Sequence, residues 1–221
     1  MRARPVSCCF SGHRPAKLPW GSNEDDLRCV ALKRRLWDAM EAAYAEGYRH
    51  FICGMAQGCD FYFCELAIKL RQKYGDVSVE AAIPCAAQSQ GWSAAEQQRW
   101  RQLVDACDYE TLVQEQYTPD CMLRRNRYMV DHASLLIAVH DGQSGGTRRT
   151  IEYAMRRGLD GVDIPPVMEK GKNDEETSHP VHIGACAAGR DRRSCGVSHR
   201  IAGGGRSGDP EKRRGAVCAS W

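Results

Sequence analysis

The chain has 221 residues, with 31 Lys and Arg, 28 Asp and Glu, and 12 Cys. This length suits one sizeable α/β domain with an appendage and would cramp two full domains. No apolar run approaches membrane-spanning length, and the apolar part of the N-terminus is too short for a secretion signal. We therefore expect a soluble, cytoplasmic protein with no membrane partner.

Charge and cysteine usage narrow the class further. Residues 168–221 hold ten Lys and Arg against seven Asp and Glu, so residues 1–167 hold 21 of each sign. A neutral folded part makes nucleic acid an unlikely partner, although it leaves room for a local basic pocket. The cysteines form no C-x-x-C pair and scatter through predicted strands and helices, which indicates reduced core residues and no metal site.

The hydrophobic pattern predicts strands that alternate with helices. Such alternation favours parallel pairing with right-handed crossovers, and we expect an α/β fold with a Rossmann-like, doubly wound, mainly parallel sheet. Ligands bind such sheets at the carboxyl ends of the strands, near the reversal of strand order. In chain order the predicted elements are strand 5–10, helix 23–46 capped by Asn23, strand 50–53, a helix from Gly58 to Gly75, strand 77–83, helix 93–106 capped by Ser93, strand 109–113, helix 119–131, strand 135–139, a helix beginning at Thr147 and strand 159–164.

The stretch 135–153, LLIAVHDGQSGGTRRTIEY, organises this plan. Five apolar residues predict a strand buried on both faces, and Gly145 and Gly146 follow in a turn where glycine permits close approach of a ligand. Thr147 stands at a natural N-cap position. Unpaired N–H groups and the positive end of a helix dipole would meet here, so the predicted ligand group is a phosphate.

A second glycine turn, Gly54 to Gly58, follows the strand at 50–53 and precedes another helix. We expect it to share the ligand, with Gln57 and Asp60 beside it. Either turn alone could need glycine for geometry only. Neither the G-x-G-x-x-G spacing nor a Walker motif occurs, which disfavours ordinary dehydrogenases and P-loop NTPases.

The first strand delivers a polar segment to the same predicted edge. Ser11 offers a hydroxyl, Gly12 a permissive backbone, and His13 and Arg14 two groups that can donate to a phosphate. Either cation alone would more often be a solvated loop residue. Asn126, early in the helix before the organising strand, suits hydrogen bonding to a base or a ribose.

Three carboxylates are candidates for catalysis: Asp60, Asp141 and Glu152. Asp60 could instead cap a helix. Asp141 could act on a ribose hydroxyl or as a base, but it could equally be an ordinary turn aspartate. No nucleophile, base and orienting group are recognisable as a set. The residues therefore favour binding over chemistry.

Four motifs carry a family resemblance. The segments SGHRPAKL, GMAQGCD, RNRYMVDHASLLIAVHDGQSGGTRRTIEYAMRRG and GVDIPP, in this order across residues 6–166, resemble the YpsA-like family of uncharacterised bacterial proteins in the SLOG superfamily of Rossmann-like nucleotide-binding domains. The glycine segments are also similar to those of DprA, which binds single-stranded DNA. The resemblance to these proteins implies that Gly54, Gly58, Gly145, Gly146 and Thr147 form a cradle for a nucleotide phosphate. It also implies a possible homodimer.

The third segment is also similar to the LOG phosphoribohydrolases, whose signature is P-G-G-x-G-T-x-x-E after an Arg-Lys pair. Carried over, the arginine falls at Arg125, the lysine becomes Asn126, and the catalytic glutamate falls at Thr150, two positions before Glu152. The catalytic set is incomplete. Arg125, Asp141 and Glu152 remain weak candidates for an N-glycosidic or phosphoribosyl hydrolase.

The sequence thus predicts a domain over residues 1–167 that binds or senses a nucleotide, NAD or an ADP-ribose-like molecule, with no required cofactor. A LOG-like hydrolase and a DprA-like single-strand binder are the alternatives. Residues 168–221 are rich in Gly, Arg and Ser, lie outside the resemblance and are predicted to be a disordered tail. Their mixed composition leaves an altered reading frame open.

Overall fold

The structure is a computed structural model, and it describes residues 6–167 and the backbone of Val181–His182. All of these belong to the first of two units of the chain, residues 1–185. The predicted tail, apart from the short strand at 181–182, lies outside the described residues. The domain boundary at residue 167 therefore stays a prediction.

The sheet has seven strands in the order β4-β3-β2-β1-β5-β6-β7. Strands β1 to β6 pair in parallel and β7 pairs antiparallel with β6. The predicted doubly wound, mainly parallel α/β fold is confirmed. The strands are β1 (Ser7–Ser11), β2 (His50–Cys53), β3 (Ser78–Ile83), β4 (Tyr109–Leu112), β5 (Leu135–Val139), β6 (Asp160–Ile164) and β7 (Val181–His182).

Five helices flank the described sheet. They are α1 (Leu27–Ala45), α2 (Cys59–Tyr74), α3 (Ala94–Ala106), α4 (Cys121–Asp131) and α5 (Gly146–Arg157), and a 3-10 turn spans Pro15–Lys17. Side chains of α1, α2 and α3 pack on one face of the sheet, and those of α4 and α5 pack on the other. Successive residues of β1 divide between these layers, Phe10 facing the first and Cys9 the second. This is why β1 and β5 are buried along their whole length, with three central apolar residues in β1 and apolar residues throughout β5.

Three predicted helix starts are wrong. Helix α4, predicted from residue 119, begins at Cys121. Helix α1 begins at Leu27 and is capped by Asp26, whose carboxylate accepts the N–H of Arg28. Asn23 instead accepts the N–H of Asp25 in a turn ahead of the helix. Helix α5 begins at Gly146, so Thr147 lies inside its first turn rather than at the cap.

Candidate functional site

A cleft of about 370 Å³ opens at the carboxyl ends of β1 and β5, where the strand order reverses. Its volume falls in the range of small-molecule sites. Ten of the residues singled out in the sequence line it: Ser11, Gly12, His13, Arg14, Asp60, Arg125, Asn126, Gly145, Gly146 and Thr147. The other lining residues are Phe10, Ala16, Lys17, Ala56, Met122, Met129, Gln143 and Arg148.

The N-terminus of α5 forms one wall of the cleft. The N–H groups of Gly146, Thr147 and Arg148 make no hydrogen bond with any residue that the structure describes. The Thr147 hydroxyl donates to the carbonyl oxygen of Gly12 at 3.2 Å, which fixes this helix end against the loop after β1. A Cβ at Gly146 would have open space around it. The helix end therefore presents three free donors to a space that a ligand can enter.

Two basic residues of the loop after β1 stand at this wall. Lys17 donates to the carbonyl oxygen of Ser144 at 2.8 Å, across the cleft entrance. Arg14 is exposed and forms no ion pair with any described residue. Lys17 was not singled out from the sequence, although it lies in the SGHRPAKL segment that supplies Arg14.

A buried ion pair forms the floor. Arg125 and Asp60 are 4% and 5% exposed, and Nη1 of Arg125 lies 3.7 Å from Oδ2 of Asp60. Burial raises the pKa of Asp60 against the opposing effects of Arg125 and of the N–H of Ala56, and burial lowers the pKa of Arg125. Nη1 also donates to the carbonyl oxygen of Gly54, while Nε has no partner among the described residues. A buried donor without a partner marks a place where a ligand oxygen can bind.

The two glycines of the second turn, Gly54 and Gly58, do not line the cleft. A Cβ at Gly54 would fall on the Arg125 guanidinium, and one at Gly58, which has a φ of +84°, would lie 2.9 Å from the carbonyl oxygen of His13. That carbonyl accepts the N–H of Cys59 at the start of α2. Gln57 points away and donates to Glu96 at 2.6 Å. The glycines here make room for protein groups, and the protein itself closes the N-terminus of α2.

Asp141 also lies outside the lining, behind His13. Nε2 of His13, which is 3% exposed, lies 2.9 Å from Oδ1 of Asp141, off the direction of a hydrogen bond. Partial burial opposes ionisation of Asp141, but the N–H of Gln143 and the nearby His13 outweigh it and lower its pKa. Asp141 is thus an ionised partner of His13 and not a base poised over the cleft.

The remaining candidates lie around α5. Asn126 donates to the hydroxyl of Thr150 at 2.8 Å, and Thr150 donates to the carbonyl oxygen of Gly146 at 3.0 Å. This chain leaves the Asn126 carbonyl for a ligand. Glu152 points to solvent and pairs with Arg148 at 3.0 Å. The position that the LOG resemblance gives to a catalytic glutamate is therefore filled by a buried threonine.

Asp60 is the only carboxylate that lines the cleft within residues 6–167. The same residues hold no group of three or more His, Cys, Asp or Glu side chains placed for a metal ion. Among the described helices, none has the length and apolar character needed to cross a membrane.

The comparisons with known proteins agree with this architecture. The model of the YspA SLOG family matches residues 8–160. A prophage-derived protein of Bacillus subtilis, YoqJ, is 28% identical over 140 residues, covering 58% of this chain and 82% of that protein. A UPF0398 protein of Bacillus thuringiensis is 21% identical over 152 residues, covering 66% and 80%.

Two solved structures are similar. DprA from Streptococcus pneumoniae aligns with a TM-score of 0.49 and 16% identity, over 73% of this chain and 50% of that chain. DprA from Helicobacter pylori, described for its single-stranded DNA binding mode, aligns with a TM-score of 0.49 and 14% identity, over 79% and 69%. This chain thus spans half the length of the first of them.

Proposed function

Because the chain belongs to the YspA SLOG family, we propose that it is a cytoplasmic protein that binds a nucleotide or a nucleotide-derived ligand, with the phosphate at the N-terminus of α5. The observation that carries this proposal is the open helix end. Three unpaired N–H groups and the helix dipole converge on one point, and no side chain fills the space beside Gly146.

The surrounding charge supports an anionic ligand. Arg14 and Lys17 stand at the cleft entrance and can supply two positive charges to a phosphate. The buried Arg125 adds a third, with one donor still unused. Asp60 offsets part of this charge, so the net attraction is local and does not require a basic surface over the whole domain.

The wall formed by α4 suits the rest of a nucleotide. Met122, Asn126 and Met129, at helical spacing on α4, line the cleft, and so does Ala56. Methionine side chains pack adaptably against a flat base, and the Asn126 amide can hydrogen-bond to a sugar or base edge. A nucleoside monophosphate, or the corresponding half of ADP-ribose or NAD, is the ligand class that this lining favours.

The arrangement favours binding over hydrolysis. The single lining carboxylate, Asp60, is held by Arg125 and by the N–H of Ala56. Glu152 and Asp141 do not line the cleft, and they pair with Arg148 and His13. We therefore infer a binding or sensing role in which the ligand leaves unchanged. All nine cysteines in the described part are free thiols, which suits a reducing compartment.

The test is a thermal-shift and calorimetric titration of the full chain with AMP, ADP-ribose, NAD and a short single-stranded oligonucleotide. A ligand that prefers the native state raises the melting temperature. We expect AMP or ADP-ribose to do so, and chromatography of the incubated ligand should recover it intact. Released base would instead support the hydrolase alternative, and oligonucleotide affinity that falls steeply with salt would support a single-strand binder.

A paired substitution locates the ligand. Gly146→Asp adds a carboxylate at a position where a Cβ would have open space around it, and it should weaken binding by about tenfold or more. Met155→Asp adds the same charge to an exposed position farther along α5 and should leave binding unchanged. Equal affinity of both variants for the ligand would overturn the proposed site.

A further inference from the structure

The loop between β5 and α5 leads directly into the proposed phosphate site, and His140 holds its backbone through both ring nitrogens. The N–H of Gly142 donates to Nδ1 at 3.2 Å, and Nε2 lies 2.9 Å from the carbonyl oxygen of Gln143. An N–H group can only donate, so Nδ1 is the acceptor and the ring proton sits on Nε2, which donates to Gln143. His140 is thus a neutral imidazole in one defined tautomer.

We propose that neutral His140 is the positioning residue that sets the loop in its ligand-binding conformation, and that protonation of His140 releases the loop and weakens binding. This inference rests on the proposed function for its effect on affinity, whereas its effect on the loop does not. His140 does not line the cleft. It acts through residues 141–145, which carry the chain to the open end of α5.

Protonation would release the loop because it removes Nδ1 of His140 as a hydrogen-bond acceptor. A protonated imidazole carries hydrogens on both nitrogens and cannot accept the N–H of Gly142. Because His140 is 9% exposed, that N–H would face another donor in a place where water has little access. Such a pairing costs more than the hydrogen bond contributes, so the loop must move.

Several titratable and charged groups surround His140, and one of them, Asp163, could interact favourably with a protonated imidazole. Asp163 on β6 interacts electrostatically with His140 and with His13, and its Oδ1 is buried without a partner among the described residues. The His13 ring lies 5.8 Å from the His140 ring, and Asp141 lies beside His13. From α5, Arg148 donates to the carbonyl oxygen of Gly142. Burial raises the pKa of Asp163 against the opposing effect of His140, and while Asp163 is ionised its carboxylate would favour a cationic His140 after the loop has moved.

Protonation of His140 and protonation of His13 would change the affinity for an anion in opposite directions. A positive charge on His13, which lines the cleft, would strengthen the binding of an anion as the pH falls. A positive charge on His140 would weaken it by displacing the loop. The probe should be ADP-ribose, because its two bridged phosphates keep their charge between pH 5 and 8, whereas a terminal phosphate titrates in this range with a pKa near 6.

The first arm of the experiment needs no ligand. NMR of the full chain should show the His140 ring protonated on Nε2 at pH 8, and the Gly142 amide signal should shift on acidification with the same midpoint as the His140 ring. In the His140→Asn variant, whose side-chain oxygen can still accept the N–H of Gly142 and does not titrate, the Gly142 signal should not move. A Gly142 amide that ignores the titration of His140 overturns the proposal.

The second arm measures affinity for ADP-ribose. The native chain should lose about tenfold in affinity on acidification, His140→Asn should show no such loss, and His140→Leu should be weak at every pH. His132→Asn, at an exposed histidine directly after α4, should behave like the native chain. If affinity falls with acid in His140→Asn as it does in the native chain, the positioning role is contradicted. If no variant binds ADP-ribose but the NMR experiment gives the expected result, only the proposed function is contradicted.

Discussion

Arg125 on α4 donates from Nη1 to the carbonyl oxygen of Gly54 at the end of β2, 71 residues earlier in the chain. This contact joins the layer that carries α4 to the turn that begins α2. It also explains why residue 54 has no side chain, since a Cβ there would overlap the guanidinium and lie 2.8 Å from Oδ2 of Asp60. The glycine is required by the buried pair and not by a ligand.

Gly54→Ala should therefore destabilise the fold. Forcing a methyl group into a filled space typically costs about 1–3 kcal/mol, and here one of the atoms that must yield is a buried charge. Urea denaturation should show a lower midpoint with an unchanged slope. Gly146→Ala is the matched control, because its methyl group meets open space. Equal stability of the two variants would refute this account of Gly54.

The Arg125–Asp60 pair should behave as a coupled unit. Arg125→Met leaves the buried Asp60 carboxylate without its counter-charge, and such a loss costs about 3–5 kcal/mol of unfolding free energy. Asp60→Asn should cost less by itself, and the double variant should be more stable than the sum of the two single losses predicts. Urea denaturation of all four proteins at pH 7 gives the coupling. Strictly additive losses would mean that the pair contributes nothing as a pair.

The local sequence pattern was sufficient to predict most of the fold. The strands at 50–53 and 135–139 match the structure at both ends, because each is a short apolar run bounded by turn residues. Ser93 caps α3 as predicted, with Glu96 completing a capping box. The carboxyl edge at the strand reversal also follows from strand order, which the alternation of strands and helices implies.

The errors have tertiary causes. Asn23 and Asp26 are equally suitable caps, and the sequence does not reveal that Asn23 is used in the preceding turn. Thr147 has the chemistry of a cap, but its hydroxyl is drawn to Gly12, 135 residues away. The two glycine turns have the same sequence character, because glycine leaves room for a ligand and for a close contact within the protein equally well. Only the positions of distant side chains distinguish them.

Acid sensitivity should arise in part from Glu80 on β3. Burial opposes ionisation of this carboxylate, but hydrogen bonds from His50, Tyr128 and Thr111 outweigh burial and lower its pKa. A lowered folded-state pKa contributes stability above the unfolded value, near 4.3, and this contribution is lost as the pH falls through the folded value. Glu80→Gln should therefore flatten the fall in melting temperature below about pH 5.

The control for Glu80 is Glu110→Gln, at an exposed position on the neighbouring strand β4. This variant should keep the acid-dependent loss of the native chain. Glu80→Gln should also be less stable at pH 7, because an amide cannot accept all three hydrogen bonds equally well. A melting temperature that falls with acid just as steeply in Glu80→Gln would assign the sensitivity to other carboxylates.

Arg14 should affect binding without affecting folding. Its side chain is exposed at the cleft entrance and forms no ion pair with a described residue, so Arg14→Gln should leave the melting temperature of the free chain within about 1 °C. The same change removes a positive charge from the proposed phosphate site and should weaken AMP binding by about three- to tenfold at low salt. Raising the salt concentration should narrow the difference, because screening weakens an exposed charge. Arg101→Gln, at an exposed position on α3, removes an equal charge away from the cleft and should match the native chain. If both variants weaken binding equally, the ligand senses the net charge of the domain rather than a site at the end of β1.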